Sequence, residues 1–143
     1  MNIIIRKVEQ EEYPILTDIW ERSVRATHNF LLEKDLQEIK ENLPTLYFPN
    51  ADIHVIIYLG NIVGFIGLSN DTIEMLFVDA GFMGKGIGSE LLRFAFDQGI
   101  RKVDVNEQNE SALRFYQNKG FRITGRDETD ADCRDYPILH LSL

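Results

Sequence analysis

Leu76-Phe77-Val78-Asp79-Ala80-Gly81-Phe82-Met83-Gly84-Lys85-Gly86-Ile87-Gly88-Ser89 runs from an apolar strand, through four glycines, directly into a helix. Beyond it, Ile87, Leu91, Leu92, Ala95 and Phe96 recur at helical spacing, and Gly99 is placed to end the helix. Free N–H groups at a helix start, with the helix dipole behind them and no Cβ in the way, can wrap a pyrophosphate. Two nucleotide signatures fail. A Walker A loop needs Lys-Ser or Lys-Thr after its last glycine, whereas Gly86 is followed by Ile87. A dinucleotide fingerprint from Gly84 needs glycine at 89, where Ser89 stands, and the preceding strands form hairpins instead of a βαβ unit. The glycines could serve only a tight helix entry. Each, however, forfeits about 0.5–1 kcal/mol relative to alanine in regular structure, which suggests close backbone approach to something.

Working outward, residues 53–59, the turn Gly60-Asn61 and residues 62–68 read as a hairpin. A turn at residues 69–71 leads to a third strand over 72–79, with Glu74 inside it. Upstream, residues 2–8 read as a strand. A helix follows an acidic entry and Pro14, with Ile15, Leu16, Ile19, Trp20 and Val24 on one face. A second helix over 33–42 stops at Pro44. Downstream, residues 100–106 form a strand, Asn109 caps a helix ending at Gly120, and strands over 121–126 and 136–143 complete the sheet. The polar stretch 127–135 takes no element. Without repeat or linker, residues 1–143 read as a single domain.

Hydrophobic residues at 44% and charged residues at 27% describe an ordinary folded chain. No apolar run approaches the roughly 18 residues of a membrane helix, and the N-terminus lacks signal-peptide features, so no membrane association and a cytoplasmic location are expected. A net charge of −8 argues against nucleic acid. The lone Cys133 and the scattered His28, His54 and His140 offer no metal-ligand spacing, so no metal is expected.

The glycine loop after Val78, followed by Asn109-x-x-Ala112-x-x-x-Tyr116-x-x-x-Gly120-Phe121, resembles the GNAT family of acetyl-CoA-dependent N-acetyltransferases. The order of elements is similar along nearly the whole chain. More narrowly, Ile19-Trp20, Arg22-Ser23-Val24, Ala26-Thr27-His28, Phe30-Leu31 and Val105-Asn106-Glu107-Gln108-Asn109-Glu110 resemble the small bacterial YjaB-type acetyltransferases, and Thr124-Gly125-Arg126, Tyr136-Pro137 and Leu139 extend the likeness. The resemblance implies an α/β fold, with a central, mostly antiparallel sheet of about seven strands flanked by about four helices. It also implies transfer of acetyl from acetyl-CoA to a primary amine of a small molecule, a peptide N-terminus or a lysine. A coenzyme A-binding sensor without turnover is the alternative. The family's loop commonly has Gln or Arg where this chain has Met83. The backbone contacts to the pyrophosphate survive that change, while one side-chain contact is lost or passes partly to Lys85.

Under the resemblance, the cofactor lies against Leu76, Phe77, Val78, Met83, Gly84, Lys85, Gly86, Ile87, Gly88, Ser89, Asn109, Ala112 and Tyr116. The Val78 N–H polarises the thioester carbonyl at a bulge there. Tyr116 fits the acid that protonates the leaving thiolate, or else a core aromatic beside Phe115. Strand alternation puts Glu74 with Leu76 and Val78, where it faces the cleft as general base or is solvated. Asn106 points into the same cleft. Trp20, Arg25, Thr27, His28, Phe30 and Tyr136 are acceptor-site candidates, with His28 a substitute base or an interior histidine. The acidic total suits a cationic acceptor. A monomer or weak homodimer is expected.

Overall fold

A computed structural model describes residues 2–143. Its elements follow the predicted order: β1 (Ile3–Lys7), α1 (Tyr13–Thr27), α2 (Glu33–Asn42), β2 (Asp52–Tyr58), β3 (Asn61–Ser69), β4 (Thr72–Val78), α3 (Ile87–Asp97), β5 (Lys102–Asn106), α4 (Glu110–Asn118), β6 (Arg122–Asp127) and β7 (Ile138–Ser142). A short 3-10 turn, Gln10–Glu12, leads into α1, and Glu12 anchors it by accepting two bonds from the Arg6 guanidinium. Past α2 the chain does not stop at Pro44. It winds through a wide π-type turn, Leu43–Tyr47, and a 3-10 turn, Phe48–Asn50.

The seven strands form one sheet in the order β1-β2-β3-β4-β5-β7-β6. Every junction is antiparallel except β4 with β5, which pair in parallel through only Thr72↔Lys102 and Ile73↔Val103. Beyond those two pairs β4 and β5 separate. The β2–β3 turn lies at Leu59 and Gly60, both with positive φ, one residue earlier than its composition suggests.

Two buried clusters lie on the two faces of the sheet. Leu16, Ile19, Trp20 and Val24 of α1, with Leu36 of α2, pack on Ile53, Val55 and Phe65. Ile87, Leu91, Leu92 and Ala95 of α3, with Tyr116 of α4, pack on Ile56, Val63, Ile66 and Ile73. The helical stripes read from the sequence are the buried ones except at Ile15, which is 44% exposed at the N-terminal end of α1 and packs in neither cluster.

The expected bulge is in β4, but at Glu74 and not at Val78. Gly67 lies opposite Met75 and Leu68 opposite Ile73, which leaves Glu74 without a partner on β3. One extra residue reverses the alternation. Ile73, Leu76 and Val78 pack on the α3 side, while Met75 and Phe77 pack on the α1 side. Glu74 accordingly falls with Met75 and Phe77, which corrects the expectation that it shares a face with Leu76 and Val78.

Candidate functional site

The separation of β4 from β5 exposes backbone that a sheet would normally pair. The Asp79 N–H donates to the Val63 carbonyl at 2.8 Å. In an antiparallel ladder the bonded pairs alternate, so residues 77 and 65 bond as 79 and 63 do. Leu76 and Val78 then turn their N–H groups the other way, toward β5, where no strand pairs with them. Gly64, opposite Val78, permits the close approach: a Cβ there would lie 2.8 Å from the Phe77 carbonyl oxygen. Arg22 of α1 holds the exit of β4 through two 2.9 Å bonds to the Asp79 carboxylate.

Two cavities open on opposite faces of this gap, and Phe77 lines both. The first, of about 450 Å³, has Leu76 and Val78 on one side and the start of α3 at its head. Gly84 and Gly86 adopt left-handed φ values of 76° and 85°, which only glycine takes without strain. The α3 ladder begins with the Glu90 N–H donating to the Gly86 carbonyl at 3.1 Å, so the N–H groups of residues 87–89 lie ahead of it, free to face an anion. Met83, Gly88 and Ser89 line this mouth. Two expected contributors do not. Ile87 is 1% exposed, its side chain buried in the core where the helical stripe requires it. Lys85 projects to solvent outside the cavity.

The other wall is α4. Asn109 caps it, accepting from the Ala112 N–H at 3.2 Å, and Ala112 and Tyr116 follow along the cavity. Tyr116 is a core aromatic that also reaches the cavity. Its ring packs edge-on to Phe115 and Phe121, and it lines the cavity. Burial pushes its phenol pKa up, so it keeps its proton. Thr27 and His28 close the cavity from α1. Thr27 Oγ1 donates to the Ser23 carbonyl at 2.9 Å and therefore accepts from His28 Nδ1, 2.7 Å away. That leaves His28 Nε2 as a bare acceptor, 3.5 Å from Asn109 Nδ2. Burial lowers the His28 pKa to about 4, so the ring is neutral.

The second cavity, of about 790 Å³, has an apolar wall that includes Trp20, Leu43, Met75 and Phe77, and an acidic rim of Glu74, Asp104, Asp127, Glu128, Asp130 and Asp132. Arg134 and His140 are the basic side chains on it. Arg134 is engaged by Asp130 and Asp132 at 3.3 and 3.2 Å, and also bonds Glu38. Glu74 is the carboxylate nearest the gap along β4. Its pKa is raised, first by burial and then by the charge of Asp104.

Besides Lys85 and Ile87, four more sequence candidates lie outside both cavities. Arg25 is a surface brace, its guanidinium bonded to Glu33 at 2.8 and 2.9 Å and to Glu21 at 3.0 Å. Asn106 turns its side-chain oxygen onto the Gln108 N–H at 3.0 Å, forming the turn before α4. Tyr136 is buried, donating to Asp35 at 2.5 Å and accepting from the Leu32 N–H at 3.1 Å. Phe30 packs between His28 and Tyr136 with its ring tilted to both. Sequence reasoning missed Ser23, Phe82 and Ser111 in the first cavity and, in the second, residues 127–132 and Arg134 of the polar loop, with His140. The acidic composition of that loop was its only available signal. Among the described residues no group of three or more His, Cys, Asp or Glu could hold a metal ion, and no helix is long and apolar enough to cross a membrane.

The chain matches the acetyltransferase (GNAT) domain family over residues 49–123. It is 39% identical over 144 residues to the peptidyl-lysine N-acetyltransferase YjaB of Escherichia coli (strain K12), covering 99% of this chain and 97% of that protein. It is 25% identical over 131 residues to the peptidyl-lysine N-acetyltransferase YiaC of the same organism, covering 88% of this chain and 90% of that protein. The solution structure of the apo form of YjaB from Escherichia coli superposes with a TM-score of 0.92 over 99% of this chain and 97% of that one, at 38% identity. A PaiA N-acetyltransferase from Thermoplasma acidophilum, crystallised with coenzyme A, shares the fold with a TM-score of 0.74 at 19% identity, each chain covered completely.

Proposed function

The chain belongs to the GNAT acetyltransferase family, and from that premise we propose that it transfers acetyl from acetyl-CoA to the side-chain amine of a lysine in a protein or peptide. The observation that carries this is the pair of cavities meeting at Phe77. The residues of the first suit coenzyme A. N–H groups at the start of α3 face where a pyrophosphate would lie, Gly84 and Gly86 hold the loop open, and Leu76 and Val78 offer N–H groups to an extended amide chain along β4. When bound, acetyl-CoA supplies an acetyl group activated as a thioester. Peptidyl-lysine is the substrate in the names of YjaB and YiaC, and the second cavity supports it here. Its apolar wall fits an aliphatic side chain, and its acidic rim attracts the ammonium group.

In this reading the proton chemistry is divided between opposite faces of the sheet, which the β4 bulge supports. A lysine amine, with a pKa near 10.4, must lose a proton before it attacks. Glu74 takes that proton on the acceptor side, directly or through water, and its raised pKa brings it nearer to the working range of a base. The Val78 N–H stabilises negative charge developing on the carbonyl oxygen. Tyr116, on the cofactor side, holds the proton that the thiolate receives as it departs.

A thermal titration tests the cofactor. Acetyl-CoA at 100 times its dissociation constant should add about 2.7 kcal/mol to stability, raising the melting midpoint by several degrees, with ATP and dephospho-coenzyme A as controls. Thiol release with lysine-containing peptides tests the acceptor. No shift at millimolar acetyl-CoA ends the reading.

A further inference from the structure

One charged cluster remains without a role. His140 on β7 lies directly opposite Asp104 on β5, and its Nδ1 is 2.6 Å from Asp104 Oδ1. On its other side Nε2 is 2.9 Å from Asp127 Oδ2 on β6. The residue facing His140 on β6 is Gly125, where a Cβ would come 3.4 Å from His140 Cδ2, so the imidazole reaches past a bare backbone to Asp127. Carboxylates only accept, so both ring nitrogens carry protons and the ring is an imidazolium. Asp104 faces Glu74 across the gap between β4 and β5, in the same cavity.

We propose that His140 is a positioning residue for the acetyl transfer: its charge, clamped between Asp104 and Asp127, neutralises Asp104 and thereby sets the pH at which Glu74 is free to take a proton. This rests on Glu74 being the base. The other cations around the cluster, Lys102, Arg126 and Arg134, are already engaged. Lys102, two residues before Asp104, pairs with Asp71, and Arg126 pairs with Glu107. Arg134 holds Asp130 and Asp132, and Glu128 adds a further carboxylate to the cavity rim. His140 is therefore the cation positioned to offset Asp104. Its own pKa is raised, chiefly by the bond to Asp104.

The test is the pH profile of kcat/KM for a lysine peptide in the wild-type chain, H140Q and D104N. H140Q leaves Asp104 uncompensated and should move the acid limb up. D104N removes the repulsion and should move it down, each by about half a unit to one unit, less than the one to three units of a directly contacting charge. A purely structural His140 would lower rates without moving the limb. If the limb coincides in all three proteins, the proposal is overturned, and if H140Q does not fold, D104N alone decides. The Glu74 carboxyl carbon, followed by NMR, separates this from the assignment of the base. Should E74Q keep the wild-type limb, Glu74 is not the base. Coupling is then judged on the carbon titration, where an unmoved Glu74 midpoint in H140Q refutes it.

Discussion

Replacing Gly64 with alanine probes the geometry on which the proposed chemistry depends. The new Cβ would lie 2.8 Å from the Phe77 carbonyl oxygen, 3.3 Å from Ile56 Cγ2 and 3.4 Å from Val78 Cα. The closest contact is backbone and cannot rotate away, so β4 must move by about 0.5 Å to restore van der Waals distance. Overpacking of this kind costs about 1–3 kcal/mol. For a chain of this length that corresponds to a melting midpoint lower by about 3–10 °C. The same movement displaces the Val78 N–H. Since a 1 Å misplacement can cost about 100-fold, half of it should lower kcat by about tenfold. Two substitutions bracket the effect. Gly67→Ala meets the mobile Met75 methyl at 2.8 Å and should cost less, while Gly81→Ala meets nothing within 4 Å and should be silent. Calorimetry with steady-state thiol release reads all three. A Gly64→Ala protein with wild-type midpoint and wild-type kcat would falsify the placement of Phe77 and Val78 against β3.

Tyr116→Phe keeps the ring and removes the proton, so kcat should fall by about 100-fold or more while the KM for acetyl-CoA stays within about twofold. Tyr136→Phe removes the hydroxyl between Asp35 and the Leu32 N–H and should cost about 1.5–3 kcal/mol in urea melts with an unchanged slope. The histidines should titrate apart in NMR: His28 stays neutral until the pH nears 4, while His140 stays charged above the ordinary value near 6.5. Because the folded pKa of His140 is raised, its contribution to stability is complete below about 6.5 and disappears as the pH climbs through the raised value. Glu12, lowered to about 2 by the Arg6 guanidinium, contributes above the usual carboxylate pKa of about 4.3 and loses that contribution as the pH falls toward 2. His140→Gln should therefore flatten the alkaline side of the stability profile and Glu12→Gln the acid side.

Local patterns in the sequence carried the elements and the cofactor wall. Helical periodicity gave the buried faces of α1 and α3, glycines with positive φ marked the head of α3, and the Asn109-to-Tyr116 spacing put those side chains on one cavity. What escaped depends on contacts between distant segments. No local pattern announces the extra residue at Glu74, because a bulge is defined by what lies opposite, here Gly67 and Leu68. Arg25 looked available for binding because Glu33, which takes two of its three guanidinium bonds, belongs to the next helix. Likewise residues 127–135 look like a featureless polar stretch until Arg134 ties them to Glu38 and Asp35 on α2.

The two-residue join between β4 and β5 has a mechanical consequence. It divides the sheet into two panels, β1 to β4 and β5 to β6, that share a fulcrum at Thr72–Ile73. Val78 is five residues along the lever from Ile73, roughly 17 Å at about 3.3 Å per residue. Rocking one panel against the other by about 5° would move Val78 by about 1.5 Å while scarcely disturbing the fulcrum. Both mouths of the gap would widen or narrow together, so a change of grip on one face would be felt at once on the other.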